Sequence, residues 1–175
     1  MSSISIVLPG EGEPVDLGTT TMRILEDGRT TDGRIGITVA TLAPHTDGPP
    51  QHRHGRHDEG FYVISGTARF TSGNTGYDAP TDTLVMIPPG VPHTFENPGE
   101  EPMVMLSTFS PSFYVEYFRD IAAMIASGRG MTPESVGEIM ARYTTEPATV
   151  PATVRRVRRV RRVRRGRRGR RRRPG

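Results

Sequence analysis

Five side chains in the stretch QHRHGRHDEG, residues 51–60, have the chemistry to hold a metal ion or move a proton. They are His52, His54, His57, Asp58 and Glu59. The chain has 5 histidines, and three of them lie here. His52 and His54 alternate, so on a strand both point to one face. Glu59, Phe61, Val63 and Ser65 form a second alternating set. A further histidine stands in DTLVMIPPGVPHTFEN, residues 82–97, where His93, Phe95 and Asn97 alternate in the same way. A barrel can bring His52, His54, Glu59 and His93 together across its interior. Three imidazoles and one carboxylate suit a divalent transition metal and leave one or two positions open for substrate or dioxygen. The chain contains no cysteine, which excludes both a thiolate zinc site and a disulfide framework. His45 stands ahead of the stretch in a proline-rich loop, outside the set.

Positioning these groups takes short strands, and the chain supplies them. Apolar, β-branched runs recur up to about residue 110: Ile4–Leu8, Met22–Leu25, Ile35–Leu42, Phe61–Ile64, Ala68–Thr71, Leu84–Ile87 and Met103–Phe109. Gly- and Pro-containing turn signals separate them. Many short strands with such turns predict an all-β sandwich or barrel. The period then changes. Phe113, Tyr117, Ile121, Met124 and Ile125 fall at helical spacing and predict a helix over about 113–127, with Gly128 as its C-cap. Thr132-Pro133-Glu134 predicts a second helix over about 133–143, with Thr132 as N-cap and Pro133 in its first turn. Both helices are expected on the outside of the barrel, as caps without chemistry.

Length and charge divide the chain. Its 175 residues suffice for one domain with a core, expected over residues 1–145. The formal net charge of +4 conceals two parts. All 23 basic residues are arginine, and 14 of them lie between Arg155 and Arg173. The remaining 9 arginines face all 19 acids, so an acidic domain precedes a very basic tail. Residues 146–153, EPATVPAT, read as a linker within a 146–175 segment without a core. Valine at every third position of the tail fits neither a helix face nor a strand face. Like charges predict a disordered basic tail there, with non-specific affinity for anions or nucleic acid. The tail has no aromatic residue to stack on a base. The N-terminal MSSISIVLPGEGEP lacks a basic region followed by a long apolar run, so no signal peptide and no membrane span are expected. A cytoplasmic location is the default.

The motif spacings carry a family resemblance. H-x-H-x4-E-x6-G, from His52, His54 and Glu59 to Gly66, resembles the first motif of the cupin superfamily. P-x-G-x2-H-x3-N, from Pro88, Gly90 and His93 to Asn97, resembles the second. The likeness covers about residues 35–110, with motif segments 48–66 and 82–97. It implies a double-stranded β-helix, the cupin jelly-roll barrel. It also implies one divalent metal ion (Ni, Co, Mn, Fe, Cu or Zn) held by the residues matching His52, His54, Glu59 and His93. There are two departures. Asp82 stands where a glycine usually opens the second motif, and Asp tolerates the left-handed turn better than most residues. Gly48, as the leading glycine of the first motif, lies closer to His52 than the family spacing.

A single cupin domain of the type-2 kind with a helical pair after it is similar to bacterial quercetinase-like dioxygenases. That similarity implies an oxidoreductase acting with dioxygen on a flavonol-like or other enolic aromatic small molecule, with Glu59 as catalytic base. Phe61, Phe70, Phe95 and Met105 are candidate substrate-pocket walls, with plain core packing as the competing role. The same motifs fit a polyketide-tailoring cupin that assists cyclisation or oxygenation, and a non-catalytic small-molecule-binding cupin. No helix-turn-helix accompanies them. A homodimer is a family expectation. His57 and Asp58 are expected at a solvent-facing rim, in the turn between the ligand strands.

Overall fold

The computed structural model describes residues 4–128, 130–148 and 156–159. The chain runs through β1 (Glu13–Asp16), β2 (Thr20–Glu26), β3 (Gly36–Leu42), β4 (Thr46–Asp47), β5 (His52–His54) and β6 (Asp58–Ser65). It continues through β7 (Thr67–Ser72), β8 (Thr75–Pro80), β9 (Leu84–Ile87), β10 (Thr94–Asn97) and β11 (Met103–Ser110). A 3-10 turn (Ser112–Tyr114), α1 (Val115–Ala126), α2 (Pro133–Arg142), β12 (Thr145–Pro147) and β13 (Arg156–Arg159) follow.

One sheet has the order β1-β2-β3-β11-β6-β9 and the other β13-β8-β7-β10-β4. Alternation sets their register. Gly36, Thr38, Ala40 and Leu42 of β3 are buried, as are Met103, Met105, Ser107 and Phe109 of β11. The two strands pair antiparallel with Met103 opposite Leu42, so a slip of one residue would turn both sets out of the core. Phe61 and Val63 of β6 meet Ala68 and Phe70 of β7 and Ala79 of β8 in that shared core. Each large apolar side chain buried there contributes about 1.5–3 kcal/mol relative to exposure. The result is the expected all-β jelly roll.

Side chains at the motif positions shape the turns. Gly66 joins β6 to β7 at φ 82°, with Met103 Cα 3.2 Å from where a Cβ would stand. Asp82 takes the left-handed turn at φ 66°, and its Oδ1 accepts from the Tyr62 hydroxyl at 3.1 Å. Asn97 is buried; its Nδ2 donates to the carbonyls of Ala43 and Glu101, both at 2.9 Å. Asn97 Oδ1 accepts from Gly99 N–H at 3.0 Å, so this one amide holds the end of β10 against the end of β3.

The helical segments follow the sequence expectations closely. Thr132 Oγ1 accepts from Ser135 N–H at 3.2 Å, and Ser135 Oγ accepts from Thr132 N–H at 3.1 Å, a reciprocal cap ahead of Pro133. Gly128 follows α1 in the left-handed conformation at φ 67°. No described helix is long and apolar enough to cross a membrane. After α2 the chain returns to the barrel. β12 pairs antiparallel with β5, with Thr145 opposite His54 and Pro147 opposite His52. The expected domain boundary at residue 145 therefore falls inside a strand of the barrel wall. Of the arginine tract, Arg156–Arg159 pair parallel with β8. The rest of the expected disordered tail lies outside the described residues.

Candidate metal centre

β5 has the burial pattern in–out–in, which places His52 and His54 inward and Arg53 outward. His93 comes from the loop between β9 and β10, and the backbone brings it to β5. His52 N–H donates to the His93 carbonyl at 3.0 Å, and His93 N–H donates back to the His52 carbonyl at 2.8 Å. Gly90 N–H donates to the His54 carbonyl at 2.7 Å and pins the same loop a second time. Glu59, in β6, faces the same space and is buried. The three imidazoles lie with ring centroids 4.5–5.1 Å apart and can each place one nitrogen within 4.8 Å of the others. The structure thus gathers all four expected ligands.

Hydrogen bonds on the far side of each ring decide which nitrogen faces inward. His52 Nδ1 lies 2.9 Å from the Pro50 carbonyl and His93 Nδ1 lies 3.0 Å from the Val91 carbonyl. A carbonyl only accepts, so both Nδ1 atoms carry the proton. His54 Nδ1 lies 2.9 Å from Thr145 Oγ1, whose own proton goes to the Tyr143 carbonyl at 3.3 Å. His52 and His54 therefore turn an unprotonated Nε2 to the interior, and His93 turns its Nε2 there too, within hydrogen-bond distance of Glu59 Oε2 at 2.9 Å. This is the outer-shell arrangement that orients histidine ligands.

Glu59 puts an ionised carboxylate among the imidazoles. Its Oε2 lies 2.9 Å from His93 Nε2 and 3.1 Å from His54 Nε2. His54 Nε2 lies outside hydrogen-bond geometry despite that distance and has no partner among the described residues. Burial alone would raise the Glu59 pKa, yet the neighbouring His54 and His93 outweigh it and bring the value down to about 2. Burial likewise lowers the His93 pKa, but the bond to Glu59 outweighs it and raises the value. Burial, reinforced by His93 and His54, lowers His52 to about 4, so that ring is neutral near pH 7. A buried carboxylate among three imidazoles is a donor set that fits a divalent transition metal.

His57 departs from expectation. It is not at a solvent-facing rim but 1% exposed, while Asp58 beside it is exposed. The period of two that orders β5 does not continue through the turn at Gly55 and Arg56, so spacing carries no information on where the next ring goes. That ring packs on Tyr114 and His54, both at 4.3 Å between centroids, and edge-on to Phe113 at 5.5 Å. Neither of its nitrogens has a hydrogen-bond partner among the described residues. Each such atom costs about 1–3 kcal/mol. Burial first, then His54, lowers the His57 pKa to about 4.

The C-terminal elements also do more than cap. Tyr114 stands edge-on to His54 at 4.5 Å, and Thr145 orients that same ring. Neither residue carries a spacing signal in the sequence; Tyr114 falls inside the expected helix 113–127 but outside its apolar stripe. The four expected wall residues lie in the core. Phe61, Phe70 and Phe95 pack on one another at 5.2–6.0 Å, and Phe61 lies 6.4 Å from His93. Phe61, Phe70 and Met105 are buried, whereas Phe95 is partly exposed.

A jelly-roll barrel with three imidazoles and a carboxylate gathered inside defines a cupin-fold protein with a candidate metal centre. Residues 38–109 match the family model of the Cupin domain. The chain is similar to the structure of KdgF from Halomonas sp., at 17% identity and TM-score 0.55, over 62% of this chain and 94% of that one. It is similar to an RmlC-like cupin from Shewanella frigidimarina, at 20% identity and TM-score 0.53, over 63% and 95% of the two chains. The cupin domain of Schizosaccharomyces pombe Cnp3 is similar at 16% identity and TM-score 0.51, over 74% and 84%. At these identities the likeness is one of fold, and together with the matched segment it supports the cupin superfamily. No curated protein matches the chain.

Proposed function

We propose that this protein is a metal-dependent cupin enzyme, a quercetinase-like dioxygenase acting on a flavonol-like or other enolic aromatic small molecule. The observation that carries this reading is the tautomer pattern. Three buried imidazoles commit Nδ1 to oxygen atoms and leave Nε2 for the space around one ionised carboxylate. His52, His54, His93 and Glu59 hold one ion of Ni, Co, Mn, Fe, Cu or Zn. When bound, that ion supplies a Lewis acid and a template for an oxygen-bearing substrate. The proton chemistry belongs to Glu59, the carboxylate of the cluster, which accepts the proton of the substrate hydroxyl. A deprotonated enol is electron-rich at the far carbon of its double bond, next to the carbon that bears the oxygen, and that is the position open to dioxygen. Phe61, Phe70 and Met105 are committed to packing. Phe95, partly exposed, is the wall candidate with surface left for a flat ligand.

The test is oxygen uptake. Protein loaded with each metal in turn is given flavonols and aromatic polyketides, and dioxygen is followed with an electrode alongside the ligand absorbance. The expected result is metal-dependent uptake coupled to loss of the flavonol, abolished in Glu59→Ala. Conversion of a substrate without uptake sinks the dioxygenase reading and leaves the polyketide-tailoring cyclase. An absorbance change on binding, with no conversion, leaves a binding protein.

A further inference from the structure

His57 is the histidine that the proposed function leaves idle. Its ring is 1% exposed, and neither nitrogen has a hydrogen-bond partner among the described residues. The rings nearest to it, those of His54, Tyr114 and Phe113, pack against it and leave both nitrogens unanswered. Yet one of these nitrogens can lie within 4.8 Å of a ring nitrogen of His54 and a carboxylate oxygen of Glu59. Three donors at that spacing, all buried, are a ligand set in their own right.

We propose that His54, His57 and Glu59 form a second position for the metal ion, overlapping the one that includes His52 and His93. The inference rests on the metal-binding part of the proposed function and adds to it. His54 fixes the stoichiometry. Its Nδ1 is committed to Thr145, so it has one lone pair to give and cannot ligate two ions together. The two positions are therefore alternatives for a single ion, with His54 and Glu59 common to both. They differ in character. The first offers three imidazoles beside the carboxylate, and the second offers two imidazoles and the carboxylate, a set that favours Fe(II) and leaves more coordination sites for oxygen ligands. A substrate that displaces His52 or His93 from the ion would not release it, because His57 is in place to receive it.

Cobalt(II) binding to the full chain tests this, by metal content, competition with a chromophoric chelator and the visible ligand-field spectrum. The proteins are wild type, His52→Ala, His57→Phe and the double variant His52→Ala/His57→Phe. Phenylalanine fills the aromatic pocket while removing the nitrogens. Wild type is expected to bind one cobalt per chain. His52→Ala is expected to retain it, at least about tenfold weaker and with an altered spectrum, because the second position remains intact. The double variant is expected to lose at least about a further tenfold. The same pair built on His93→Ala repeats the measurement if the first double variant does not fold. Equal affinities in the single and double variants overturn the second position and leave the first standing. A wild type that binds no cobalt overturns both.

Discussion

Arg119 on α1 and Glu59 on β6 each stand inside a polar cluster, and the two clusters are balanced differently. The Arg119 guanidinium pairs with Glu13 and Glu116 and reaches Asp27 at 2.9 Å, and Asp27 also takes Arg29 at 2.7 Å. Donors meet acceptors throughout, and the network ties α1 to β1 and to the end of β2 without help from any ligand. Around Glu59, an anionic oxygen takes a hydrogen bond from His93 Nε2 at 2.9 Å, while His54 Nε2, 3.1 Å away, has no hydrogen-bond partner among the described residues. His57 adds two nitrogens without a hydrogen-bond partner among the described residues. The first cluster is a finished structural joint. The second leaves buried donor atoms over, in a set that could hold a metal ion. Counting donors against acceptors separates them where burial and charge density do not.

The most severe way to break the comparison is His54→Ala, because His54 belongs to both ligand sets. Removing a direct ligand is expected to weaken metal binding by more than the 10–100-fold typical of outer-shell partners. Metal content after dialysis against a chelator is the measurement. Retention of one ion per chain by this variant would show that the donors around Glu59 are not the site.

Thr145→Val comes next. Valine keeps the shape and removes the oxygen that holds His54 Nδ1–H at 2.9 Å. The expected loss is about 10–100-fold in metal affinity. Thr145→Ser should restore it, with the melting temperature of the metal-free protein nearly the same in all three. A purely structural role for Thr145 would move the melting temperature and leave the affinity in place.

His54 and Thr145 also mark what was legible in the sequence. Within an element, period is enough. The in–out–in pattern of His52 to His54, the buried alternation of β3 and β11, the Thr132-Pro133 start of α2 and the left-handed turn at Asp82 all follow from residue types a few positions apart. The motif spacings then bring Glu59 and His93 to the same place. Thr145 is another matter. That the segment after α2 would pair with β5 depends on how two helices lie against a finished barrel, and no local period records that. His57 fails for the same reason from the other side. Its burial is set by Tyr114 and Phe113, which belong to a different element and lie far along the chain. Polar neighbours read as a solvent-facing turn when those aromatic partners are out of view.

The matched cluster predicts a different phenotype. Arg119→Leu is expected to cost about 1–2 kcal/mol of folding stability and to lower the melting temperature by about 2–8 °C. Metal content should not change. Its pH dependence sharpens the contrast. Arg29, against the effect of burial and together with Arg119, holds the Asp27 carboxyl below the ordinary range, and Arg119 does the same for Glu13. Depressed carboxyl pKa values contribute stability that is fully present above the unfolded value near pH 4 and is lost as pH falls below it. The difference between wild type and Arg119→Leu, measured by urea unfolding, should stay constant above about pH 5 and shrink below about pH 4. A difference independent of pH would mean that packing of the arginine stem, not its charge, carries the effect.

The smallest expected effect, and the one that separates the clusters most cleanly, is that of His57→Phe on the wild-type background. If one ion divides itself between two positions, its apparent association constant is the sum of the two. Deleting the minor position then lowers affinity by less than about twofold, and only a position occupied more than half the time could cost more. Stability should move the other way. Arg119 loses matched partners when it is replaced, whereas the His57 nitrogens have no hydrogen-bond partner among the described residues to lose. Replacing an unsatisfied buried polar group with an apolar ring of similar shape is neutral or stabilising. The metal-free variant should therefore melt at or above the wild-type temperature. A fall of several degrees would mean that His57 has partners in the folded protein, and that its cluster is as finished as the one around Arg119.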